Sequence, residues 1–106
     1  VLAPNGKIYG IPKDSTSVLI IDPITNTVDT STITGLSGSF KWLGGLLAPN
    51  GKIYGIPYAS TNALIIDPAS NTADTTTITG LTGGGFGRWI GGVLAPNGKI
   101  YGIPFD

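Results

Sequence analysis

The stretch Leu-Ala-Pro-Asn-Gly-Lys-Ile-Tyr-Gly-Ile-Pro occupies residues 2–12, recurs at 47–57 and returns at 94–104. Its centre decides the local fold. Asn-Gly supplies the positive φ angles of a tight hairpin turn, and the Lys that follows keeps the tip in water. In the middle copy a strand over residues 43–48 approaches Pro49-Asn50-Gly51, and a returning strand over 52–57 carries Ile53, Tyr54 and Ile56. The repeated stretch therefore reads as a β-hairpin.

Working outward, the identity extends well past the motif. Residues 1–45 laid over 46–92, with one two-residue insertion, match at 31 of the 45 positions of the first copy. The copies are 45 and 47 residues long, and a third begins at residue 93 and covers 93–106. Helical repeats of this period need helix formers, whereas the chain has no Glu, Gln, Met or His and is rich in Gly (17), Pro (8) and β-branched residues. A period in the mid-forties with several strands per unit is the pattern of β-propeller blades. The expected fold is all-β: blades of four antiparallel strands, two complete (1–45 and 46–92) and a third begun (93–106).

The rest of each unit supplies two more strands. Val18 to Ile21 and Ala63 to Ile66 are unbroken apolar runs, and continuous rather than alternating apolar character implies burial on both faces. Leu19, Ile20, Ile21 and Leu64, Ile65, Ile66 are accordingly expected inside. Asp67-Pro68-Ala69-Ser70-Asn71 is a turn sequence, in which Asp caps its own backbone and Asn tolerates the left-handed conformation. The fourth strand, over 72–78, is rich in Thr and carries Asp74, which suits a solvated outer edge. Residues 80–89 form a Gly-rich crossing into the next unit.

The order Ala-Pro-Asn-Gly-Lys-Ile-Tyr, a short loop, then Leu-Ile-Ile-Asp-Pro and an Asn-Thr turn resembles the YVTN-type β-propeller repeats over nearly the whole chain. The family's Tyr falls on Tyr9, Tyr54 and Tyr101, and its Asp on Asp22 and Asp67. Where that family continues Tyr-Val-Thr-Asn, this chain has Tyr-Gly-Ile-Pro. The Gly-Gly pairs Gly44, Gly45 and Gly91, Gly92, each near a Trp, are similar to kelch repeats. Such families mostly serve as scaffolds and binding surfaces, with a minority of enzymes, so the resemblance implies architecture more directly than activity.

Composition narrows the chemistry. With no His, Cys or Glu, a Ser-His-Asp triad, a Cys-His pair, a His-bearing zinc site and a glutamate acid–base pair have no residues to build them. Asp22 and Asp67 sit at equivalent turns a unit apart, as do Asp29 and Asp74, so turn capping accounts for them better than a catalytic pair does. No D-x-D-x-D-G loop offers calcium a crowded set of oxygens. The run Gly83-Gly84-Gly85-Phe86-Gly87-Arg88 lacks the Lys-Ser/Thr and the helix of a phosphate loop and reads as a connection. No metal or cofactor is expected.

Charge is sparse and balanced, six basic against six acidic residues, which offers no footprint for nucleic acid or an anionic membrane surface. The longest aliphatic run is far below the ~18 residues of a membrane helix. One constellation stands out: a base followed by Trp, as Lys41-Trp42 and Arg88-Trp89, beside Phe40 and Phe86. These four residues could stack on a sugar ring or pair with an acidic ligand; a Trp once per unit beside Gly-Gly more often packs between adjacent sheets, and that packing is the main role expected here.

The sequence thus predicts a non-enzymatic structural or binding scaffold, extracellular or on the cell surface. Two rivals are a lectin-like propeller that holds glycans at Lys41, Trp42, Arg88 and Trp89, and a propeller enzyme whose active residues lie elsewhere. Closed propellers use about four to eight blades, so the expected partners are further blades of a longer polypeptide or copies of the chain itself.

Overall fold

A computed structural model describes residues 1–81 and 87–105. Every regular element among them is a strand. The order is β1 (Ile8–Gly10), β2 (Leu19–Asp22), β3 (Thr27–Asp29), β4 (Trp42–Leu47), β5 (Ile53–Pro57), β6 (Leu64–Asp67), β7 (Thr72–Asp74), β8 (Trp89–Leu94) and β9 (Ile100–Pro104). They form three antiparallel sheets, β1-β2-β3, β4-β5-β6-β7 and β8-β9, which follow the three copies of the repeat. Among the described residues these sheets close into no barrel or ring.

The hairpin forms in every copy, with one difference from the expectation: of the Asn-Gly pair the Gly alone takes a positive φ. In each copy the Asn side chain accepts the amide of the Lys two residues on, at 2.9–3.0 Å, and the Gly takes a φ of 81 to 83°. The Asp-Pro turns repeat the device: Asp22 accepts the Ile24 amide and Asp67 the Ala69 amide, both at 3.0 Å. Asn26 and Asn71 then take the left-handed φ that reverses the chain.

Among the described residues the full four-stranded sheet is present in the middle unit alone. The first unit has three strands, and its innermost position is held by a single Leu2–Ile8 bridge. Strand β4 begins at Trp42 and runs across the 45/46 boundary of the sequence period, as β8 runs across 92/93. The middle and last sheets therefore start with the end of the preceding copy, because hydrogen bonding rather than identity fixes where a unit begins. The fourth strands are three residues long and do not extend to 78. Asp29 and Asp74 end them by turning back onto the amides and hydroxyls of Ser31 and Thr32, and of Thr76 and Thr77.

Burial is unequal between copies, and this corrects one expectation. In β6, Leu64, Ile65 and Ile66 are all buried, whereas in β2 only Ile20 is; Leu19 is 38% exposed and Ile21 half-buried. The cause is position in the stack. Leu64 and Ile66 join a core with Tyr9, Val18, Ile20, Ile33, Leu36, Trp42 and Ile53, so it lies between the first and middle units. Leu19 and Ile21 point the other way, where no sheet among the described residues packs.

Close stacking demands the second glycine of each Gly-Gly pair. A Cβ on Gly45 would lie 2.9 Å from the Ile11 side chain of the preceding unit and 3.0 Å from the Tyr54 carbonyl, and one on Gly92 would lie 3.0 Å from Ile56. In both copies the Ile after Tyr-Gly packs into the space that glycine leaves.

Candidate functional site

The base-Trp pairs lie at the junctions between sheets. Trp42, at the start of β4, is 3% exposed, and its indole Nε1–H donates to the Asn62 carbonyl at 2.8 Å. Lys41 is 4% exposed. Its ammonium donates to the carbonyls of Lys13 at 3.2 Å, Ser15 at 2.9 Å and Gly38 at 2.8 Å. Three N–H donors meet three carbonyls, so the buried charge is solvated by backbone dipoles.

Backbone bonds fasten the same junction. The Lys41 amide donates to the Lys13 carbonyl and the Tyr58 amide to the Lys41 carbonyl, both at 2.8 Å. The next junction repeats this with Arg88 donating to Tyr58 and Phe105 donating to Arg88. The Arg88 guanidinium reaches the carbonyls of Ala59 and Ser60 at 3.3 and 2.5 Å. Its Nε is buried with no hydrogen-bond partner among the described residues; the counterpart of Gly38, which serves Lys41, is Gly83, outside them. Lys41 Nζ and the Arg88 guanidinium carbon lie 5.9 and 5.7 Å from the centroids of the following Trp rings. Trp89 is only half-buried and lines an open groove.

Lys41 and Trp42 border a polar cleft of about 380 Å³ whose other walls include Ser37, Ser39, Ser60 and Asn62. The Lys41 ammonium and the Trp42 N–H are already engaged by the protein, so a molecule in this cleft would meet serine, threonine and asparagine groups first. Phe86, expected beside Arg88-Trp89, and Gly83 to Gly85 lie outside the described residues.

Beside the junctions runs an aromatic line. Lys13 Nζ sits 4.3 Å from the Phe40 ring centroid, the Phe40 and Tyr58 centroids are 6.3 Å apart, and Tyr58 and Phe105 are 6.0 Å apart. Lys13, Tyr58 and Phe105 are one repeat position, directly after the Ile-Pro of each motif. Phe40 holds a φ of 52°, which its counterpart Gly87 adopts at 77° without penalty, and its amide donates to the Asp14 carboxylate at 2.7 Å. Reading the chain residue by residue overlooked this line, because the position varies between copies. Its signal was that three non-identical residues follow three identical motifs.

A second set of contacts joins the motif itself to the neighbouring unit. Tyr9 is fully buried; its hydroxyl donates to the Asn71 side chain at 2.7 Å and accepts from Asn5 at 3.0 Å. The turn of the middle unit thus seats on the hairpin of the first. Comparison with protein-family models, with curated protein sequences and with solved structures finds no match for this chain.

Proposed function

We propose that this chain is a run of β-propeller blades with a structural, non-enzymatic role, a scaffold outside the cell that grows by stacking unit on unit with further blades or copies of itself. The observation that carries this reading is the core between the first and middle units, to which the first contributes Tyr9, Val18 and Ile20 and the middle Leu64 and Ile66. Units that cannot bury their apolar faces alone must find neighbours. At the two ends of the stack, Leu2, Leu19 and Val28 on one side and Val93, Tyr101 and Ile103 on the other are exposed, and contiguous apolar surface of this kind marks association. Light scattering tests it: the reading expects species larger than one chain that grow with concentration, and a cooperatively folded monomer at every concentration overturns it.

A second reading has its own support. A cation over Phe40, a line of three rings and a hydroxyl-lined cleft nearby are the ingredients of a sugar-binding face. Phe40 also holds a strained backbone where glycine would relax, and strain of that kind clusters at ligand sites. A glycan array is the test, and loss of a hit in Phe40→Gly with unchanged stability would favour this reading.

A further inference from the structure

The core between the first and middle units can be laid, position by position, over the space between the middle and last units. An apolar groove of about 210 Å³ there is lined by Tyr54, Ala63, Ile78, Leu81, Trp89 and Ile100. Their counterparts one repeat earlier are Tyr9, Val18, Ile33, Leu36, Trp42 and Ile53, all members of the packed core. Two further members of that core, Leu64 and Ile66 of β6, have no counterpart in the 106 residues. The groove is the same core with its third-strand side chains left out.

The neighbouring features agree. Strand β5 pairs on one side with β4 and on the other with β6, in the register Ile53–Ile66, Tyr54–Ile65 and Gly55–Leu64. Strand β9 has the same sequence, Ile-Tyr-Gly-Ile-Pro, and among the described residues pairs only with β8, so no described strand covers its far edge, the kind of edge that takes up a further strand. A second hollow, of about 590 Å³, is bordered by Pro49, Asn50, Tyr54, Lys99 and Ile100. In the first unit the equivalent place is where Asn71 meets Tyr9 and the Pro68 carbonyl lies 3.5 Å from Asn5. Tyr54 Oη accepts from Asn50 at 2.9 Å, which reproduces half of that lock.

We propose that the β9 edge and this groove are the docking site for the third-and-fourth-strand hairpin of another repeat unit of the same pattern. Its Leu-Ile-Ile-Asp segment would add to β9 by antiparallel strand addition in the register Ile100–Ile66, Tyr101–Ile65 and Gly102–Leu64. Its leucine and second isoleucine fill the groove, and its Pro-X-X-Asn turn delivers the asparagine to the Tyr54 hydroxyl. This rests on the scaffold reading above and specifies the partner's chemistry.

The test adds a synthetic peptide of the sequence 63–78 to the intact 106-residue chain and follows amide exchange in β9 together with solution mass. The expected result is saturable binding, amides of β9 exchanging at least about tenfold more slowly, and dissociation of self-associated species as the peptide competes for the edge. A peptide carrying Leu64→Asp and Ile66→Asp should not bind. Peptide Asn71→Ala and chain Tyr54→Phe should each weaken binding about fivefold, the equivalent of one neutral hydrogen bond, and together no more than either alone. Absence of binding, or equal binding of the doubly charged peptide, overturns the proposal. If self-association persists undisturbed by a peptide that fails to bind, the docking site is wrong while the scaffold reading stands; a folded monomer that ignores the peptide removes both.

Discussion

Trp42 and Trp89 occupy the same repeat position in different surroundings, so replacing each by Ala measures what a neighbouring unit contributes. Trp42 is 3% exposed, packs with residues of both units and donates its N–H to Asn62. Deleting a buried large aromatic costs about 3–5 kcal/mol, and leaving the Asn62 carbonyl without its donor adds about 1 kcal/mol. Trp89 faces an open groove and is half-buried, so much of its surface is already wet and its removal should cost under about 2 kcal/mol. Urea unfolding followed by circular dichroism resolves the two. With a slope of about 2 kcal/mol per M, Trp42→Ala should lower the midpoint by about 2–3 M, or leave the chain unfolded if its total stability lies at the low end of the usual range. Trp89→Ala should lower it by under about 1 M. Equal losses at the two positions would refute the claim that the core between the first and middle units differs from the groove.

Three further outcomes follow from the geometry. Lys41→Met keeps the aliphatic stem but strips the Ser15 and Gly38 carbonyls of the ammonium donor, while the Lys13 carbonyl retains the Lys41 amide, and should cost at least about 2 kcal/mol in the same unfolding assay. Gly45→Ala drives a methyl against Ile11 and the Tyr54 carbonyl, with an expected loss of about 1–3 kcal/mol that Ile11→Val in the same chain partly restores. Asp74 is held at a pKa of about 2, below the ordinary 3.8, chiefly by the Thr77 hydroxyl and then the Thr76 amide, and Asp29 is lowered in the same way by Thr32 and Ser31. Because the folded pKa values are depressed, this stabilisation is present above pH 3.8 and is lost as pH falls toward 2. The thermal midpoint should drop across that window, and less so in Asp29→Asn with Asp74→Asn.

Much of the fold was legible because its determinants are local. Asn-Gly, Asp-Pro and the left-handed Asn residues fix the turns from β2 to β3, β4 to β5, β6 to β7 and β8 to β9 with their own side chains, so those strand pairings followed from sequence. What escaped depends on neighbours. Leu19 and Leu64 stand in the same Leu-Ile-Ile-Asp string, yet one is exposed and the other buried, because only β6 has a sheet packed on that face. The burial of the Lys41 charge was equally hidden, since its acceptors are carbonyls, which every residue carries. The line through Lys13, Phe40, Tyr58 and Phe105 arises from stacking successive loops, which no single unit contains.

The three identical stretches at residues 2–12, 47–57 and 94–104 make the most direct test of the central claim, that a unit is held by its neighbours rather than by its own sequence. Amide exchange of Ile-Tyr-Gly-Ile in each copy should be measured across a concentration series. The account predicts slowest exchange in β5, which has a sheet on each side and a strand on each edge, and fastest exchange in β9 at low concentration, slowing as concentration rises and copies cover its edge. Equal protection in all three copies, independent of concentration, would contradict it.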